Sequence, residues 1–215
     1  MDDGTLTAHC VFEAQATLGE GVFWSNLQQC LYWVDIKAQR LHVFSPASGQ
    51  ASCYEVPEPI SAVIPTSSSS VLCLLRSGLY DFNPMQPSVF KLLAQPELEL
   101  PGNRLNDATI GPDGAVWFGT MDDAETEPSG HFYRLDSDLS WQRFERGICI
   151  TNGPALNQDG TQLFFTDTLQ RQIYRVANRG RETSLDDAKL FIALSEEEGY
   201  PDGMCCDVAG RLWLC

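Results

Sequence analysis

Five short apolar runs recur along the chain: LYWVD at 31–35, VLCLL at 71–75, VWFGT at 116–120, LFFTD at 163–167 and LWLC at 212–215. Their starts lie 40, 45, 47 and 49 residues apart. A repeat of this length cannot bury its own apolar residues and must stack against its neighbours. The first four runs are each followed by a partner, RLHVF (40–44), GLYDF (78–82), HFYRL (131–135) and QIYRV (172–176), and each pair predicts a hairpin. Further strand candidates follow at 51–56, 88–92, 141–144 and 188–192. Asp113-Gly114, Asp159-Gly160 and Ala209-Gly210 supply turns ahead of three of the five runs. Four short strands per repeat predict the blade of a β-propeller.

Other structural signals are few. Only 184–188 and 195–198 are candidates for a turn or two of helix, and no long stretch keeps a 3.6-residue apolar period. The serine run at 66–70 predicts a hairpin loop, and no domain boundary is visible, so 1–215 is expected to form a single all-β propeller domain. With 43% hydrophobic and 10% aromatic residues there is enough apolar material for its core. The pattern stops in mid-run at Cys215, after four repeats and the first strand of a fifth, so the propeller is expected to be truncated at about four and a half blades.

The 29 acidic residues outnumber the 14 basic ones, and a formal charge of −15 repels nucleic acid and anionic lipid surfaces. The start, MDDGTLTAHC, lacks an apolar signal core, and no run reaches the roughly 18 apolar residues of a membrane span. The eight cysteines contain no C-x-x-C pair and signal neither structural zinc nor a redox dithiol. The expectation is a cytoplasmic protein that partners neither nucleic acid nor membrane. His9, His42 and His131 lie far apart and are read as structural.

Three oxygen-bearing side chains sit on tight turns: Glu20 in GEG, Asn152 in NGP and Asp202 in PDG. Each is by itself an ordinary turn residue. In a propeller, however, loops at one end of the inner strands converge on a central channel. Two carboxylates and an amide carbonyl meeting there suit a hard divalent cation and leave coordination positions open.

The segments LGEGVFW (18–24), LYWVDI (31–36), NRLND (103–107), GTM (119–121), TNG (151–153), FTDT (165–168) and PDGM (201–204) occur in order over nearly the whole chain. In these the chain resembles the SMP-30/gluconolactonase/regucalcin family. The resemblance implies a six-bladed propeller with one divalent metal in its channel and hydrolysis of sugar lactones such as gluconolactone, a carboxylic ester hydrolase activity. It implies Glu20, Asn152 and Asp202 as metal ligands, and Arg104 and Asn106 as sugar contacts. Asp202 is also placed to act as general base, passing a proton from water to the ring oxygen. Calcium, zinc, magnesium, manganese and iron(II) all accept such ligands. Where the family has a further acidic sugar contact, this chain has Ala124, flanked by Asp122, Asp123 and Glu125. The same residues also suit a calcium-binding regulatory protein without turnover, and the repeats suit a non-catalytic scaffold.

Overall fold

The computed structural model describes residue 7 and residues 9–215; the acidic start read above lies largely outside them. Among the described residues, four antiparallel sheets of four strands follow one another along the chain, and a two-stranded hairpin comes last. The first sheet is β1 (Gly19–Ser25), β2 (Cys30–Asp35), β3 (Arg40–Ser45) and β4 (Gln50–Glu55). The second is β5 (Ile60–Pro65), β6 (Val71–Leu75), β7 (Gly78–Phe82) and β8 (Phe90–Ala94). The third is β9 (Asn103–Ile110), β10 (Val116–Asp122), β11 (Gly130–Leu135) and β12 (Trp141–Ile148). The fourth is β13 (Thr151–Leu156), β14 (Gln162–Asp167), β15 (Gln172–Ala177) and β16 (Lys189–Ala193), and the hairpin pairs β17 (Met204–Cys206) with β18 (Leu212–Leu214). Sheets built in sequence order, each touching the next through its first strand, are the blades of a propeller.

The core lies between blades. Strand side chains alternate faces, so a strand covered on both sides sends odd and even residues into different layers. Val71, Cys73 and Leu75 of β6 pack with Val34 and Leu41 of the first blade, whereas Leu72 and Leu74 pack with Phe118 and Tyr133 of the third. Trp117 in turn faces Leu163 and Phe165 of the fourth. This explains why the runs at 71–75 and 116–120 are apolar without alternation. Outer strands lack a second cover, and all five residues of β16 are exposed.

The apolar runs are not the innermost strands. They form the second strand of each blade, and β1, β5, β9, β13 and β17 line the axis, with successive ones in contact. Glu20 and Asn152, expected on loops, therefore lie within strands, and only Asp202 stands ahead of one. Sequences such as TNGPAL read as turns because of their Asn, Gly and Pro, yet here they pair with a neighbour. The 66–70 segment does join β5 to β6, and 185–187 forms a short 3-10 turn. Residues 196–198 make only a hydrogen-bonded turn, and a second 3-10 turn at Gly180–Glu182 was not foreseen.

Asp35, at the end of β2, fastens the segment that leads to Glu20. Its carboxylate accepts the backbone N–H groups of Thr17 (2.7 Å), Leu18 (3.1 Å) and Ala38 (3.1 Å). Burial favours the protonated form, but the three N–H groups outweigh it and hold this carboxyl below its ordinary value. Its contribution to stability is therefore present above the ordinary carboxyl range and fades as pH falls through the lowered folded value. Asp35→Ala is expected to cost about 1 to 2 kcal/mol at pH 7 in urea unfolding, since it strands three donors on a partly buried carboxylate site. The difference from the parent should shrink on acidification below the ordinary Asp value of 3.8. A difference independent of pH would contradict this account.

Candidate active site

Each innermost strand of the four complete blades carries one residue more than its partner over a short interval. Between β1 and β2 the register slips between Glu20 and Phe23, and between β13 and β14 it slips between Asn152 and Ala155. In the third blade, Leu105 and Ala108 pair with Thr120 and Phe118, so Asn106 and Asp107 occupy the slip. In the second, Ser61 does. A β-bulge kinks the strand and re-aims its side chains. Glu20 and Asn152 are thus the paired residues directly before their bulges, and Asn106 and Asp107 lie within theirs. Gly21 and Gly153 adopt φ of +60° and +63°, and a Cβ on Gly153 would lie 2.6 Å from the Met204 side chain. Glycine there lets β13 and β17 approach each other closely.

A cleft of about 950 Å³ opens at the inner strands, with Glu20, Asp107 and Asp202 in its wall among apolar neighbours that include Val22, Trp24 and Trp213. Burial raises the Glu20 pKa, the charge of Asp202 raises it further, and the Arg104 guanidinium partly offsets both. Burial also pushes Asp107 up to about 7, opposed by the N–H groups of Ala108 and Gly153 and reinforced by Asp202 and Glu20. Three carboxylates that repel one another in a partly desolvated wall lack positive charge.

Behind this wall the remaining candidates form one hydrogen-bonded series. Arg104 Nη1 donates to Asn106 Oδ1 (2.7 Å), and Asn106 Nδ2 donates to Asn152 Oδ1 (2.9 Å) and Thr151 O (2.7 Å). Asn106 and Asn152 are buried, at 5% exposure each. The five sequence-derived residues thus fall into two neighbouring groups: Glu20 and Asp202 on the cleft, and Arg104, Asn106 and Asn152 in the series. Asp107 connects the two, because it follows Asn106 and its Oδ2 lies 3.5 Å from where a Cβ on Gly203 would sit.

Of the acidic residues that flank Ala124, Asp123 is the one that meets Arg104. Asp123 Oδ1 pairs with Arg104 Nε (3.1 Å) and Oδ2 with Arg76 Nη1 (2.5 Å). Asp122 is committed to its own turn, accepting from the N–H groups of Thr126 and Glu127. Asp107 lies in the NRLND motif, but an acid next to Asn106 is too common a pattern to single it out from sequence.

Residues present fit a hard divalent cation by donor chemistry: oxygen ligands, excess negative charge, and an amide oxygen with a further lone pair. Among the described residues no three His, Cys, Asp or Glu side chains form such a site alone.

The fold and site together define a β-propeller with an acidic cleft at its inner strands. Residues 18–215 match the model of the SMP-30/Gluconolactonase/LRE-like region, and the chain belongs to that family. It is 30% identical to a pentonolactonase, XacC, of Haloferax volcanii over 97% of this chain and 69% of that protein. It is 31% identical to an L-arabinolactonase of Azospirillum brasilense, over 94% of this chain and 67% of that one. Among solved structures, a calcium-binding protein, regucalcin, of Agrobacterium tumefaciens superposes with a TM-score of 0.86 at 30% identity, over 93% of this chain and 67% of that one.

Folding raises the proton affinity of Asp107 from an ordinary 3.8 to about 7, so the folded state takes up a proton in that window and loses stability as pH climbs through it. With cations chelated, thermal melts should show Asp107→Asn gaining stability over the parent at pH 8, and gaining less at pH 5. An equal gain at both values would contradict the placement of this carboxyl.

Proposed function

We propose that the chain is a sugar lactonase, a hydrolase that opens the ring ester of an aldonolactone with the help of one divalent cation. The observation that carries the reading is the crowding of Glu20, Asp107 and Asp202 on one cleft beside the Asn106–Asn152 amide pair. Named sugar lactonases at about 30% identity over nearly all of the chain support the reaction class. We take residues 1–215 to work as one propeller domain. All eight cysteines are free thiols, which supports a reducing compartment such as the cytoplasm. No helix among the described residues is long and apolar enough to cross a membrane.

In this reading Glu20, Asn152 and Asp202 hold the cation, which when bound supplies Lewis acidity toward the lactone carbonyl and toward a water. The protein does the rest. Arg104, held in plane by Asp123 and Asn106, offers donors to ring hydroxyls. Asn106 acts on the sugar through Arg104, which its Oδ1 holds, since both its amide hydrogens are engaged with Thr151 and Asn152. Asp202 Oδ takes the proton of the attacking water and returns it to the ring oxygen as the acyl–oxygen bond breaks, so the product is the open hydroxy acid.

The test is a panel of aldonolactones, assayed by acid release with protein stripped by chelator and reloaded with single divalent ions. Hydrolysis should vanish on stripping and return on reloading, and Asp202→Ala should lower kcat by about a hundredfold or more. Full activity after complete stripping would overturn the reading. Cation binding without hydrolysis of any lactone would instead favour a calcium-binding protein without turnover, as the Agrobacterium regucalcin is a calcium-binding protein.

A further inference from the structure

The hydrogen-bonded series behind the cleft does not end at Asn152. Asn152 Nδ2 meets Thr168 Oγ1 at 3.0 Å, and Thr168 Oγ1 meets the carbonyl oxygen of Pro201 at 3.0 Å. Thr168 immediately follows β14 and is buried, at 8% exposure. Its backbone N–H is bonded to Ile150 O, which fixes the residue against the start of β13.

The direction of every bond in this series follows from chemistry. A carbonyl oxygen has no hydrogen to give, so the single hydroxyl proton of Thr168 goes to Pro201. The hydroxyl then faces Asn152 only as an acceptor, and Asn152 must present its NH2 to it. The amide oxygen of Asn152 is thereby turned the other way, toward Asn106. At the opposite end Arg104 is a donor only, so Asn106 must present its oxygen to it, which leaves the NH2 of Asn106 for Thr151 O and Asn152 Oδ1. The series runs one way, from a guanidinium to a carbonyl, and neither amide can flip without placing two donors or two acceptors face to face.

We propose that Thr168 is a positioning residue of the cation site: its hydroxyl fixes which end of the Asn152 amide is offered as a ligand and ties down the loop that carries Asp202. One side chain thus sets two members of the site that lie 50 positions apart in the sequence. The inference rests on the cation reading given above and deepens it. Partners that hold metal ligands through hydrogen bonds commonly matter as much as this geometry requires. Thr166, within β14 two positions earlier, provides an internal control, because its buried hydroxyl has no partner among the described residues.

The experiment is calorimetric titration of chelator-stripped protein with calcium chloride and, separately, manganese chloride, without lactone. Thr168→Val replaces the hydroxyl by a methyl group of nearly equal size, and binding should weaken about 10- to 100-fold. Thr168→Ser restores the hydroxyl and should bind close to the parent, as should Thr166→Val. Thr168→Ala removes the hydroxyl without added bulk and carries the test if the valine variant does not fold. Parental affinity in folded Thr168→Val or Thr168→Ala would overturn the inference and leave the cation reading standing. A serine variant as weak as valine would also overturn it. A parent protein that binds neither ion would defeat the cation reading itself, and this inference with it.

Discussion

The structure depends on a single departure from regular pairing, repeated in each complete blade: one surplus residue in the innermost strand. A regular strand would send alternate side chains into the layers between blades, where the core already fills the space. The bulge releases a residue from that alternation and turns it toward the axis. The surplus lies at Gly21 and Val22, at Asn106 and Asp107, and at Gly153 and Pro154, and with Glu20 and Asn152 directly before it polar chains leave the apolar layers and gather. Without these irregularities the same sheets would make a stable propeller with nothing to offer at its centre.

Gathering acidic groups has an electrostatic cost. Glu20 and Asp107 are both pushed toward their protonated forms, first by burial and then by the charges around them. The Arg104 guanidinium answers only part of this, and it is shared with Asp123. A divalent ion would remove the imbalance, since each carboxylate would gain from the ion what it loses to its neighbours. The amide pair adds direction: Asn106 and Asn152 are neutral and buried, and their orientation is set by hydrogen bonds that admit one arrangement.

Much of this was legible in the sequence, for reasons that particular residues make clear. Strands β6, β10 and β14 are covered on both faces, so VLCLL, VWFGT and LFFTD announce themselves by being apolar throughout, and their spacing gives the blade count. The innermost strands do the opposite. Thr151–Leu156 holds an asparagine, a glycine and a proline because it must bulge and approach β17 closely, and those residues imitate a loop. The site residues were found through their motifs, while their position inside strands was not. The contacts of Asp123 and Thr168 stayed hidden because they run across blades and loops, to Arg104 and to Pro201, which no local pattern records.

The account's central claim is spatial, and crystallography with anomalous scattering from manganese tests it most directly. It predicts one strong peak beside Glu20, Asn152 and Asp202, with an oxygen of each at about 2.1 to 2.6 Å from the ion, the range of oxygen ligands to hard divalent cations. A fully occupied ion bound elsewhere, or these three side chains turned away from a common point in the presence of saturating manganese, would contradict it.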